Sequence, residues 1–170
     1  MPESADNPES FTYTTIGIIH SPFPDIAAMP IQPSGARGIR GIIDIHPEFV
    51  AGLKDLEEFS HVILIYALHH CNGYSLEVKP FLDLKPHGIF ATRAPKRPNP
   101  IGLSIVSLVQ IRGCSLDLEN VDILDGTPLL DIKPYVPEFD QQEDCRIGWL
   151  EQVRGIVKAK KSDDRFRREE

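Results

Sequence analysis

The chain has 170 residues, 41% of them apolar, with 18 Lys+Arg against 25 Asp+Glu and a formal net charge of −7. That length fits one domain able to bury roughly 70% of its unfolded surface, and no apolar run reaches the ~18–20 residues of a membrane-spanning helix. The start, MPESADNPES, lacks the basic and apolar stretches of a signal peptide.

Cys71, Cys114 and Cys145 are an odd number, widely spaced and without a CxxC pair, so neither a disulfide framework nor a zinc ribbon is signalled. The expectation is a soluble, cytoplasmic protein with reduced thiols. Acidity argues against nucleic acid as a partner, but the average hides structure. Residues 85–112 carry Lys85, Arg93, Lys96, Arg97 and Arg112 and no acid, a local positive field able to attract phosphate.

In chain order, residues 1–11 have no apolar pattern and read as a flexible segment. Residues 13–20 and 39–45 are short β-branched strands bounded by Pro and Gly. Residues 47–59 are the best helix, with Pro47 at its first position and Phe49, Val50, Leu53 and Leu56 three to four apart. The run Val62 to Leu68 is apolar without a break, so 61–70 reads as a strand covered on both faces. Strands at 89–92, 103–111 and 116–124 follow, then the turn Asp125-Gly126 and a return strand at 129–136. The 15 prolines argue against long helices elsewhere. The fold class is mainly β, a barrel or a curled single sheet with one or two short helices, spanning 12–140. Residues 141–170 form a C-terminal extension ending in a charged tail.

Three patches could carry chemistry. In the loop Ala91 to Ser104, three prolines within six residues stiffen the backbone, Arg93 and Arg97 bracket it, and Asn99 lies between two prolines. A stiff cationic loop loses little entropy on binding a ligand, although it also serves as a plain crossover. On the return strand, Asp131, Lys133 and Tyr135 share one face by alternation and could line a pocket wall or an ordinary solvent face. His61, His69 and Cys71 alternate onto one face too. His61 and His69, however, stand ~26 Å apart along an extended strand, so no metal site is expected. The His69-His70 pair instead ends the buried strand at a cleft mouth. No GxGxxG, GxxxxGK[ST], HExxH or GxSxG is present.

At these residues a family resemblance emerges. The strings Ile16-Gly17, Ser21-Pro22-Phe23, Pro30-Ile31-Gln32, Leu56-Glu57-Glu58-Phe59-Ser60-His61 and Gly88-Ile89-Phe90-Ala91-Thr92-Arg93 begin it. Arg97-Pro98-Asn99-Pro100-Ile101-Gly102, then Asp125-Gly126-Thr127-Pro128 with Asp131-Ile132-Lys133-Pro134-Tyr135, are its most specific parts. The chain resembles the TsaA-like, or TrmO, family of S-adenosylmethionine-dependent tRNA methyltransferases over roughly 15–137. The resemblance implies a small single-sheet β-barrel, a homodimer with S-adenosyl-L-methionine near the subunit interface, and methylation of N6 of threonylcarbamoyl-adenosine in the tRNA anticodon loop. By position it implies a cofactor pocket of Pro30, Gln32, His69, His70, Arg93, Leu103, Asn120, Asp122 and Ile123. Arg97, Asn99, Lys133 and Tyr135 would meet the RNA.

The acceptor is an amide-like NH, so a general base is expected. His69, Asp125 and Asp131 are the candidates, unranked by the sequence. The alternatives are a methyltransferase of the same fold acting on another RNA or a small molecule, and a non-catalytic cofactor- or RNA-binding module.

Overall fold

Alternation in the segment RGIIDI, buried at Gly41, Ile43 and Ile45 and exposed between them, is the pattern on which the domain is built. The computed structural model describes residues 10–26, 29, 36–80, 83 and 85–153. Within them six strands close a barrel: β1 (Gly17–His20), β2 (Arg40–Ile45), β3 (His61–Ala67), β6 (Ile101–Arg112), β7 (Ser115–Glu119) and β8 (Thr127–Pro134). The order around it is β1-β2-β7-β6-β3-β8, with β8 returning to β1 and every neighbour antiparallel. A separate ribbon pairs β4 (Glu77–Val78) with β5 (His87–Gly88).

The core is the inner face of these strands, with Ile19, Ile43, Val62, Leu64, Val106, Leu116 and Leu129 fully buried. Each such side chain contributes about 1.5–3 kcal/mol on leaving water. β6 is long enough to serve two partners. Its first half pairs with β3, Tyr66 opposite Gly102 and His61 opposite Ser107, and its second half pairs with β7.

Several elements differ from the sequence expectation, each for a local reason. Residues 47–59 form not one α-helix but two 3-10 segments, Pro47–Leu53 and Leu56–Glu58. Asp55, at φ 65°, breaks them apart. Residues 89–92 are no strand: Ile89–Ala91 is a 3-10 turn whose Ile89 carbonyl accepts from the Thr92 N–H and hydroxyl. β3 ends at Ala67, because Pro100, which accepts from the Leu68 N–H, has no N–H to return, and the chain turns at His69-His70. The shared face assigned to His61, His69 and Cys71 is therefore lost. β7 stops at Glu119, since Asn120 adopts φ 66°.

The second face of β3 is also less covered than an unbroken apolar run suggests. Ile63 and Ile65 are half-buried on the outside of the barrel, beside exposed Ile101, Leu103 and Ile105 of β6.

Antiparallel closure sorts the connections. One rim gathers the β1–β2 segment, the long β3–β6 connection and the β7–β8 loop; the other holds the 3-10 segments and the tight β6–β7 turn. The first rim therefore receives His69, His70, Arg93, Arg97, Asn99, Asp122 and Asp125.

Candidate functional site

At that rim a buried polar chain runs inward. The Tyr66 hydroxyl lies 2.9 Å from the Ser104 hydroxyl, which donates to Asp122 Oδ1 at 2.8 Å. Ser104 and Asp122 are two of three buried polar residues among those described. Burial pushes the Asp122 carboxyl up to about 6, against the Ser104 hydrogen bond, a backbone hydrogen bond and the Arg93 guanidinium, which favour the charged form. It also raises the Tyr66 phenol, with the Asp122 charge adding to the effect. Tyr66 fits because Gly102, its cross-strand partner, leaves room for the ring.

His69 and His70 follow β3 with ring centroids 4.2 Å apart. Partial burial, then the neighbouring His70, hold the His69 imidazole below its ordinary value, against a hydrogen bond with the Ala67 backbone. A histidine so placed is neutral at pH 7 and able to accept a proton.

The Pro-rich loop is built around Arg97. Its Nη1 donates to the carbonyls of Thr92 at 2.9 Å, Ile89 at 3.2 Å and Ala94 at 3.4 Å. Trp149 closes the same loop from the C-terminal side, donating its indole N–H to the Ala91 carbonyl at 2.9 Å and stacking on His87 at 4.5 Å. Arg93 is exposed within this frame, and the Asn99 carbonyl accepts from the Ile101 N–H.

The β7–β8 loop is tied to β1. Asp125 Oδ1 accepts from the Ser21 N–H at 3.1 Å and lies 3.3 Å from His20 Nδ1, while the Ser21 hydroxyl donates to the Ile123 carbonyl at 2.6 Å. The Ser21 N–H above all, helped by His20, holds Asp125 below the usual carboxylate range. The Ile123 side chain is buried in the core, and its carbonyl is the one taken by Ser21.

The remaining expected residues lie on the outside of the barrel. Leu103 points away from Ser104 and is half-exposed. Asn120 donates to Ser107 at 2.9 Å and accepts from the Gly38 N–H at 3.0 Å, and Ser107 in turn lies 3.2 Å from His61 Nε2. Asp131 pairs with Lys133 at 2.7 Å and accepts from the Ile132 N–H, while Tyr135 meets His61 edge-on at 6.3 Å. Pro30 and Gln32 lie outside the described residues.

One group of site residues thus converges on the rim and another flanks an apolar outer strip. Sequence reasoning missed Tyr66, Ser104, His20, Ser21 and Trp149. Ser104 closes the RPNPIGLS string, and Tyr66 bears the one polar atom in its apolar run, which were the available signals. Among the described residues no group of three His, Cys, Asp or Glu is arranged to hold a metal ion, and no helix is long and apolar enough to cross a membrane.

Residues 18–141 match the family described as the tRNA-methyltransferase O N-terminal domain. The chain belongs to that family. It is 55% identical over 159 residues to a probable S-adenosyl-L-methionine-binding protein of Pyrococcus abyssi, covering 94% of this chain and 86% of that protein. Identity to a mouse tRNA (adenine(37)-N6)-methyltransferase is 38%, over 78% of this chain but 32% of the mouse protein. The crystal structure of TrmO from Pseudomonas aeruginosa superposes with a TM-score of 0.70 at 40% identity, covering 82% of this chain and 62% of that one. The chain therefore spans most of the Pyrococcus relative and a third to two thirds of the methyltransferases it matches.

Proposed function

We propose that the chain is an S-adenosylmethionine-dependent tRNA methyltransferase, acting on N6 of threonylcarbamoyl-adenosine beside the anticodon, in the cytoplasm, as a homodimer. The observation that carries this reading is the family match over 18–141, supported by Arg93 of the motif strings and the expected cofactor residues His69 and Asp122 belonging to connections at one rim of the barrel.

The rim suits the cofactor. Asp122 is a buried carboxylate whose pKa is set by burial more than by the Arg93 guanidinium, so a cationic ligand would favour its ionised form. Asp122 would hold the positive or hydroxyl-bearing part of the cofactor, Arg93 its carboxylate, and the His69-His70 turn would close over it. When bound, S-adenosylmethionine supplies an electrophilic methyl group. The chain's own part is positioning and proton removal. Holding the acceptor nitrogen in line lowers the barrier by up to ~7–11 kcal/mol. His69 suits the base, being neutral and at the rim, whereas Asp125 is engaged by Ser21 and His20, and Asp131 by Lys133.

The outer strip of Ile63, Ile65, Leu103 and Ile105 supports pairing of two copies there, which would bring Leu103 and Asn120 to the subunit boundary. Incubating the protein with methyl-labelled cofactor and tRNA, then digesting to nucleosides, tests the activity. Label on N6 of threonylcarbamoyl-adenosine is expected. Cofactor binding with no label in any tRNA nucleoside favours the alternative of a small-molecule substrate.

A further inference from the structure

Phe90 is 76% exposed at the centre of the 3-10 turn Ile89–Ala91. A single exposed ring is ordinary on a protein surface, so what marks Phe90 is its setting. Its backbone is unusually fixed: Ile89, Ala91, Thr92 and Ala94 all have their carbonyls taken by Thr92, Arg97 or Trp149 side chains. One side of the ring is occupied by the Arg97 guanidinium carbon, 5.9 Å from the centroid. Along the chain, Arg93, Lys96 and Arg97 follow Phe90 within seven residues, and no acid lies between Lys85 and Arg112. Exposed Tyr74 and Leu76 lie on the adjoining segment, joined to this loop by Ile89 N–H to Leu76 and Ser75 N–H to Lys96.

We propose that Phe90 is a stacking platform for an unpaired RNA base, with Arg97 backing the ring and Lys96 meeting a flanking phosphate. The inference rests on the tRNA reading above and adds a binding residue to it. Unstacked bases in loops are held on aromatic faces backed by arginine. A ring presented on a pinned turn holds a base with little ordering cost. Phosphate attraction alone would call for the cations but not for an exposed ring among them. The stacked base would be a neighbour of the target nucleotide, since Phe90 lies three residues from Arg93 on the turn that delivers it to the rim.

The test compares the full-length protein with Phe90→Leu, which keeps apolar bulk, and Phe90→Trp, which keeps a stacking face. Each is titrated with a synthetic anticodon stem-loop, with the same stem closed as a plain duplex, and with S-adenosylmethionine by calorimetry. Light scattering follows subunit mass. The expected result is stem-loop binding weakened roughly tenfold to a hundredfold in Phe90→Leu. Phe90→Trp should bind as the parent does, with its added indole emission quenched, and duplex and cofactor affinities should stay unchanged. Equal stem-loop affinity in parent and Phe90→Leu overturns the platform and leaves the tRNA reading standing. Loss of dimer mass in Phe90→Leu assigns the ring to a subunit contact and overturns it too. A parent that binds cofactor but no stem-loop overturns both.

Discussion

The ring of Tyr66 occupies the space where Gly102, directly across the β3–β6 ladder, would carry a β-carbon. The glycine of RPNPIG is thus a packing requirement of the tyrosine that leads to Ser104 and Asp122. A β-carbon there would overlap ring carbons Cε2, Cζ and Cδ2, and the ring is buried and hydrogen-bonded at its hydroxyl. Gly102→Ala should therefore destabilise by about 1–3 kcal/mol through overpacking and weaken cofactor binding. Urea melts and calorimetry check both, and the double variant Gly102→Ala, Tyr66→Leu should recover stability without recovering binding.

Asp122 makes stability depend on pH with a definite sign. Its folded pKa of about 6 lies above the ordinary 3.8, so the folded state holds the proton more tightly. Stability falls as pH rises from about 4 to about 6 and stays lowered above that. The shift corresponds to roughly 3 kcal/mol at full expression. Asp122→Asn should consequently be more stable than the parent at pH 8, by up to about 2 kcal/mol, and show no such gain at pH 4. Cofactor affinity in the parent should rise with pH through about 6, and in Asp122→Asn it should be weak and flat. Denaturant melts and titrations at several pH values measure both.

Arg97 separates a structural from an RNA-contacting role. Three backbone carbonyls accept from its Nη1, and hydrogen bonds from a charged donor contribute about 1.5–3 kcal/mol each when lost from a buried setting, less here because the site is part-exposed. Arg97→Ala should speed amide exchange across 89–97 in the protein without RNA. Arg93→Ala should leave that exchange unchanged and weaken cofactor binding instead. Hydrogen-exchange mass spectrometry on both variants tells the two arginines apart.

Asp125 fixes the loop that follows β7 against the end of β1. Its depressed pKa, owed first to the Ser21 N–H, contributes stability above the ordinary carboxylate value, lost as pH falls through the lower folded one. Being exposed, it is worth no more than about 1 kcal/mol. Asp125→Asn should melt slightly below the parent at pH 7 and level with it at pH 2. A fall in turnover of a thousandfold at unchanged stability would instead mark Asp125 as the base.

Short β-branched runs bounded by Pro and Gly, and turn residues such as Asp125-Gly126, made the strands of the barrel legible, whereas the inner and outer faces of the all-apolar His61–Ala67 separate only in the folded chain. What the sequence concealed was set by single backbone geometries. The left-handed Asp55 turned an expected helix into two 3-10 pieces, and Asn120 cut β7 short, neither visible in composition. For the site, the family resemblance pointed to Arg93 and Asp122 but not to the hydroxyls that lead to Asp122. Tyr66 and Ser104 are brought together by cross-strand register, which no spacing along one chain reveals. Trp149 escaped notice because its partners, His87 and Ala91, lie about sixty residues away.

The most direct measurement is a crystal structure of the protein with S-adenosylhomocysteine. Density wedged between the His69-His70 turn, Arg93 and Asp122 is the predicted result. Ordered ligand at the opposite rim, against Pro47–Leu53, or an empty rim at saturating concentration, would contradict the assignment of the cofactor seat.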